Sequence, residues 1–121
     1  MSNFEKLDVW QKAIDFADLV YAMTSRFPSE ERFGLTTQMR RAAVSISSNI
    51  AEGCSRASKT DFARFVEIAT GSVFEVVSQA FIGRRQHLVD DAQFQALYAA
   101  AEEQSKMLSG LRKSLDRKSV V

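Results

Sequence analysis

One histidine and one cysteine in 121 residues leave little room for metal or nucleophilic chemistry. A carboxylate-bridged di-iron centre in a helical bundle needs inward-facing glutamates and a Glu-x-x-His pair on each of two helices. The residue three before His87 is Arg84, which breaks that pattern. Cys54 has no second cysteine for a disulfide and no clustered histidines with which to hold zinc. A Cys54–His87 nucleophile pair would require residues at opposite ends of one long helix to meet. No glycine-rich loop suited to cradling a phosphate is present. The chain is therefore expected to carry no catalytic residues, no metal and no cofactor, and not to be an enzyme.

The arginines ask for partners instead. Arg40 and Arg41 fall early in a predicted helix, where the macrodipole opposes positive charge and an acid is the usual occupant. Two explanations are open: they pair with carboxylates of a neighbouring helix or subunit, or they face an anionic ligand. His87, near a helix C-terminus, fits the dipole without further function. Ser72, Ser78 and Gln104 lie on or beside apolar stripes and read as interior polar groups that fix register.

Four amphipathic segments must position these residues. Val9, Ala13, Phe16, Ala17, Val20 and Thr24 recur at helical spacing, and Phe27-Pro28 ends the first segment, predicted over 8–27. Leu35, Met39, Ala42, Ala43, Ile46 and Ile50 form the inner stripe of a second helix over 36–52, which Gly53 is expected to close in a left-handed conformation. Ser58 and Asp61 resemble a capping box that opens a third helix over 59–86. Asp90 and Gln93 open a fourth over 90–115, whose seam is Phe94, Leu97, Ala101, Gln104, Leu108, Leu111 and Leu115. Trp10, Ile14, Tyr21, Phe74 and Phe81 widen the stripes beyond what one bundle interior requires. Short connections between helices of similar length give an all-α fold, an antiparallel up-down-up-down four-helix bundle spanning residues 1–121 as one domain. A polar tail after Leu115 is expected to fray.

Composition agrees with an ordinary globular chain: 45% hydrophobic, 26% charged, one proline and a formal net charge of +1. A balance so close to zero gives no global pull toward nucleic acid or membrane, so any attraction must come from local clustering. Up-down-up-down folding gathers Arg26, Arg32, Arg40, Arg41, Arg84 and Arg85 at one end. Lys6, Arg56, Lys59, Arg112, Lys113, Arg117 and Lys118 collect at the other; carboxylates offset most of this charge, leaving each end at +2 and the waist at −3. No basic-then-apolar leader opens the chain, and no apolar run approaches the roughly 18 residues of a membrane span. The expectation is a cytoplasmic protein without membrane contact.

The stretch Phe33-Gly34-Leu35-Thr36-Thr37-Gln38-Met39-Arg40-Arg41-Ala42-Ala43-Val44-Ser45-Ile46-Ser47-Ser48-Asn49-Ile50-Ala51-Glu52-Gly53, followed by Arg56, closely resembles the four-helix bundle proteins of the 23S ribosomal RNA intervening-sequence type. Leu7-Asp8-Val9-Trp10-Gln11-Lys12-Ala13, Phe27-Pro28 and Ile68-Ala69-Thr70-Gly71-Ser72 extend the match over nearly the whole chain. The resemblance implies a ring-shaped homopentamer related to accessory proteins of diversity-generating retroelements, which work with a reverse transcriptase and nucleic acid, and it implies no catalysis. Its motif supplies the polar residues Gln38, Ser45, Asn49 and Glu52. Two departures stand out: Ser47 replaces a common proline, which would straighten the second helix, and the Gly71–Phe81 stretch lacks the usual run of leucines, which would alter subunit packing. Two functions compete. One is an RNA-associated accessory protein that binds RNA or DNA backbones through Arg40, Arg41, Arg56 and Lys59. The other is a structural adaptor that presents its ring to a protein partner.

Overall fold

The apolar periodicity becomes four helices in a computed structural model that describes residues 3–116. They are α1 (Asp8–Thr24), α2 (Leu35–Cys54), α3 (Lys59–Arg85) and α4 (Asp91–Asp116), and no strand occurs among the described residues. Short 3-10 turns at Phe4–Lys6 and Ser29–Glu31 precede α1 and α2. Arg117, Lys118 and the tail expected to fray lie outside the described residues.

Each helix packs on two neighbours, in the cycle α1–α2–α3–α4–α1. Named contacts set the directions. Arg40, early in α2, bonds to Thr24 at the end of α1. Ser45 and Ser72 meet at the middles of α2 and α3. Arg112, late in α4, reaches Glu67, early in α3. Gln104 of α4 bonds to the first turn of α1. Neighbouring helices therefore run antiparallel, and the chain is an up-down-up-down bundle.

The core follows the predicted stripes. Val9, Ala13, Phe16 and Val20 of α1 are buried, as are Met39, Ala42, Ala43, Ile46 and Ile50 of α2. Val66, Ala69, Val73, Val76 and Ala80 of α3 close on Phe94, Leu97, Ala101 and Leu108 of α4. Leu111 and Leu115 continue the α4 seam half-buried. Gln104 sits in that seam at 1% exposure. Its amide donates to the Val9 carbonyl at 3.0 Å, pinning α4 to α1, while its Oε1 has no partner.

The helix ends depart from expectation in three places. First, α1 stops at Thr24 rather than Phe27. The Thr24 hydroxyl bonds to the Val20 and Tyr21 carbonyls and the Ser25 hydroxyl to that of Ala22, so side chains compete with the backbone ladder. Second, Gly53 is helical and no glycine has positive φ. It is required for space: a Cβ there would lie 2.7 Å from Phe62 Cδ1 and 3.0 Å from Phe65 Cβ. Third, the left-handed cap occurs at His87, with φ 60°. Leu88 N–H donates to Gly83 O and His87 N–H to Arg84 O, the paired bonds of a Schellman motif. The starts agree better. Ser58 Oγ accepts from Asp61 N–H at 3.1 Å, and Asp90 with Gln93 exchanges both bonds of a capping box, at 2.7 and 3.0 Å. α2 runs unbroken through Ser47, whose hydroxyl bonds to Val44 O.

α3 is long and apolar enough by composition to cross a membrane, contrary to the expectation that no such run exists. Its inner residues are bundle core, but apolar residues also occupy its outer side. Ile68, Phe74, Phe81 and Ile82 are exposed, and Glu75 is the one charge in the exposed set between Ile68 and Ile82. A helix apolar on all sides is ordinarily one with neighbours on all sides.

Candidate interaction surfaces

Arg40 resolves its conflict with the α2 dipole by leaving it. Nε donates to Thr24 Oγ1 at 2.9 Å, Nη2 approaches the Tyr21 carbonyl at 3.5 Å, and the guanidinium lies 4.5 Å from the centroid of the Tyr21 ring. Those groups belong to the last turns of α1, which has no basic residue of its own there. Arg40 thus supplies from α2 the positive charge that the C-terminus of α1 lacks. Neither a carboxylate nor a bound anion is needed.

Arg41 points elsewhere. It is exposed and makes no hydrogen bond or ion pair among the described residues. With Tyr21, Thr37, Arg40, Val44 and Ser45 it lines a depression of about 430 Å³ on the α1–α2 side. The lining holds two guanidinium groups and no carboxylate.

The other two basic candidates lie at the opposite end of α2. Arg56 pairs with Glu52 at 3.4 Å and stacks on Phe65 at 4.6 Å, while Lys59 opens α3, exposed and without an ion pair among the described residues. Sixteen residues of helix and cap separate Arg40 from Arg56, roughly 24 Å along the axis at about 1.5 Å per residue. The four candidates therefore form two separate groups, not one patch. The motif polar residues divide similarly. Ser45 accepts from Ser72 Oγ and Asn49 Nδ2, both at 2.9 Å, tying α2 to α3. Glu52 serves Arg56, and Gln38 is exposed with no side-chain bond among the described residues.

A larger groove of about 690 Å³ opens between α3 and α4, lined by Val73, Phe74, Val77, Ser78, Phe81, Tyr98, Ala101, Glu102, Ser105 and Lys106. Phe74 is 64% exposed on its rim. Phe81, Phe94 and Tyr98 form an aromatic cluster with ring centroids 4.7 to 6.5 Å apart, and Arg84 sits 3.8 Å above Phe94. The sequence flagged Phe74 and Phe81; Tyr98 was missed because it sits one residue off the α4 seam.

Little else could do chemistry. Burial pushes the Cys54 thiol up, away from the activated thiolate range. Among the described residues, no three His, Cys, Asp or Glu side chains are grouped closely enough to hold a metal.

An antiparallel four-helix bundle with two surface depressions is the class that this geometry defines. The family model for the 23S rRNA-intervening sequence protein matches residues 5–110, and the chain belongs to that family. A solved structure, of a protein with unknown function from the S23 ribosomal protein family of Bacteroides thetaiotaomicron, superposes with a TM-score of 0.80 at 24% identity. The match covers 87% of this chain and 98% of that one. Comparison with curated proteins returned no match.

Proposed function

We propose that this chain is a non-catalytic building block that assembles side by side with copies of itself and binds nucleic-acid backbones at the ends of the assembly, as an RNA-associated accessory protein. The observation that carries the assembly is the outer apolar side of α3, where Phe74 and Phe81 border an open groove beside Tyr98. Burying it against another copy removes a contiguous apolar surface that isolated soluble proteins rarely keep.

The α1–α2 depression is the natural counterpart. Tyr21, Arg41 and Val44 lie roughly 5 to 14 Å from one end of the bundle, and Phe81, Tyr98, Phe74 and Glu102 roughly 6 to 17 Å from the same end, at about 1.5 Å per helical residue. Rotation about an axis parallel to the helices preserves height, so these faces meet without slippage. Glu102 and Glu75 then approach the unpaired Arg41, with Lys106 lower in the groove. Two different faces in contact make a heterologous interface, which closes into a ring when the repeated rotation closes. Five copies is the number that the family resemblance implies.

In such a ring the Arg40–Arg41 face is largely covered, and phosphate contact falls to end residues such as Arg56 and Lys59. Repetition around the ring multiplies a weak basic cluster into a multivalent one. Fluorescence anisotropy with unrelated RNA and DNA sequences tests this. Binding should weaken steeply with salt and show little sequence preference, and joint replacement of Arg56 and Lys59 by Gln should flatten the salt slope. An assembled protein that binds neither nucleic acid at low salt would turn the reading to the protein adaptor.

A further inference from the structure

We infer that Phe33 is a stacking platform for an unpaired base, so that the ligand at its end of the assembly, opposite the end that carries Arg56 and Lys59, is single-stranded nucleic acid; this rests on the nucleic-acid reading above. Phe33 is 90% exposed, more than any other large apolar residue among the described residues. It is not exposed for want of a fixed backbone. The segment carrying it is anchored by Phe27, which is buried, and by the 3-10 turn at Ser29–Glu31. Gly34 N–H donates to Glu31 O at 3.0 Å, Leu35 N–H reaches Glu31 Oε1 at 3.4 Å, and the Thr37 hydroxyl bonds to Arg32 O. A ring held outward on a hydrogen-bonded turn is preorganised for a flat partner.

The charges around it suit a polyanion. The Arg32 guanidinium lies 5.7 Å from the Phe33 ring centroid. Arg26, on the same connection, and Arg85, at the end of α3, complete a basic set. The end of α3 packs on this connection, since a Cβ on Gly83 would sit 3.6 Å from Leu35 and 3.9 Å from Phe27 side-chain atoms. Arg26, Arg32 and Arg85 are exposed and have no ion pair among the described residues. The carboxylates of this end are mostly engaged: Glu31 caps α2, Asp90 caps α4, and Asp91 pairs with Arg84 at 3.9 Å. Glu30 is the exception, with no partner among the described residues. An outward aromatic ring beside free guanidinium groups is the combination by which proteins hold single strands, the ring taking a base and the cations the phosphates. A duplex buries its base faces and cannot use the ring.

The test uses the full chain with a single-stranded oligonucleotide carrying 2-aminopurine and a duplex of equal length, comparing wild type, Phe33→Ala and Phe33→Trp. The expected result is quenching of 2-aminopurine on binding and a loss in Phe33→Ala of about 5- to 100-fold in single-strand affinity, the range for one stacked base. Phe33→Trp should bind as wild type. The salt slope and duplex binding should be unchanged in all three, because the ring neutralises no phosphate. Equal single-strand affinity of wild type and Phe33→Ala overturns the inference and leaves the nucleic-acid reading standing. A wild type that binds no nucleic acid overturns both. A Phe33→Ala protein whose mass falls, with affinity lost only in proportion, overturns the stacking site and makes Phe33 a subunit contact.

Discussion

Arg40 carries a charge whose meaning depends on a helix other than its own. Its partners are the Thr24 hydroxyl, the Tyr21 carbonyl and the Tyr21 ring, so its contribution combines a hydrogen bond, a helix-terminus charge and a cation–π contact. Arg40→Gln should cost about 1 to 2 kcal/mol of unfolding free energy at low ionic strength, less in high salt. Arg41→Gln, in dilute protomers, should cost under about 0.5 kcal/mol, as at surface sites without partners. Urea titrations at two salt concentrations check both. The anomaly was legible in the sequence, because two arginines early in a helix oppose the local dipole. The resolution was not, because the partners are the Tyr21 carbonyl and ring and the Thr24 hydroxyl, nineteen and sixteen residues upstream, which no pattern of charged side chains reveals.

At the scale of the element, apolar spacing placed all four helices within a few residues, and both N-caps fall at the expected residues, Asp90-Gln93 as a full capping box and Ser58-Asp61 with only the bond from Asp61 N–H to Ser58 Oγ. The C-termini were harder. A glycine near a helix end has two uses, a left-handed cap or a close approach, and local sequence does not say which. At Gly53 the partner is Phe62, which lies beyond the turn. At the end of α3 the left-handed position is filled by His87, whose Cβ makes that conformation costlier than it would be for glycine. His87→Gly should therefore raise stability by up to about 1 kcal/mol by relieving a positive φ. Gly53→Ala, normally favourable inside a helix, should instead cost about 1 to 3 kcal/mol through overpacking against Phe62 and Phe65. Thermal and chemical denaturation of the two variants measures opposite signs; the same sign in both would contradict these assignments.

For the whole molecule, the fold was legible because the inner stripes of α1, α2, α3 and α4 obey a single rule, burial at helical spacing. The outer residues of α3 do not follow that rule: Ile68, Phe74, Phe81 and Ile82 are apolar and exposed. Phe74 and Phe81 were visible as excess apolar residues, but the groove they share with Tyr98 and Glu102 exists only once α3 and α4 are packed. The same packing separates Arg40 and Arg41 from Arg56 and Lys59, and the proposed function accordingly assigns nucleic-acid contact to the ends and assembly to the sides. The most direct test of that division is light scattering coupled to size exclusion, applied to wild type and Phe74→Glu with circular dichroism of each. Phe74 is 64% exposed, so the substitution spares the bundle core. Wild type should run as one discrete species with a mass several times the 13.6 kDa of the chain. Phe74→Glu should keep its helicity and fall toward the single-chain mass. A wild type that stays near 13.6 kDa at every concentration, or a Phe74→Glu protein that assembles unchanged, would contradict the account.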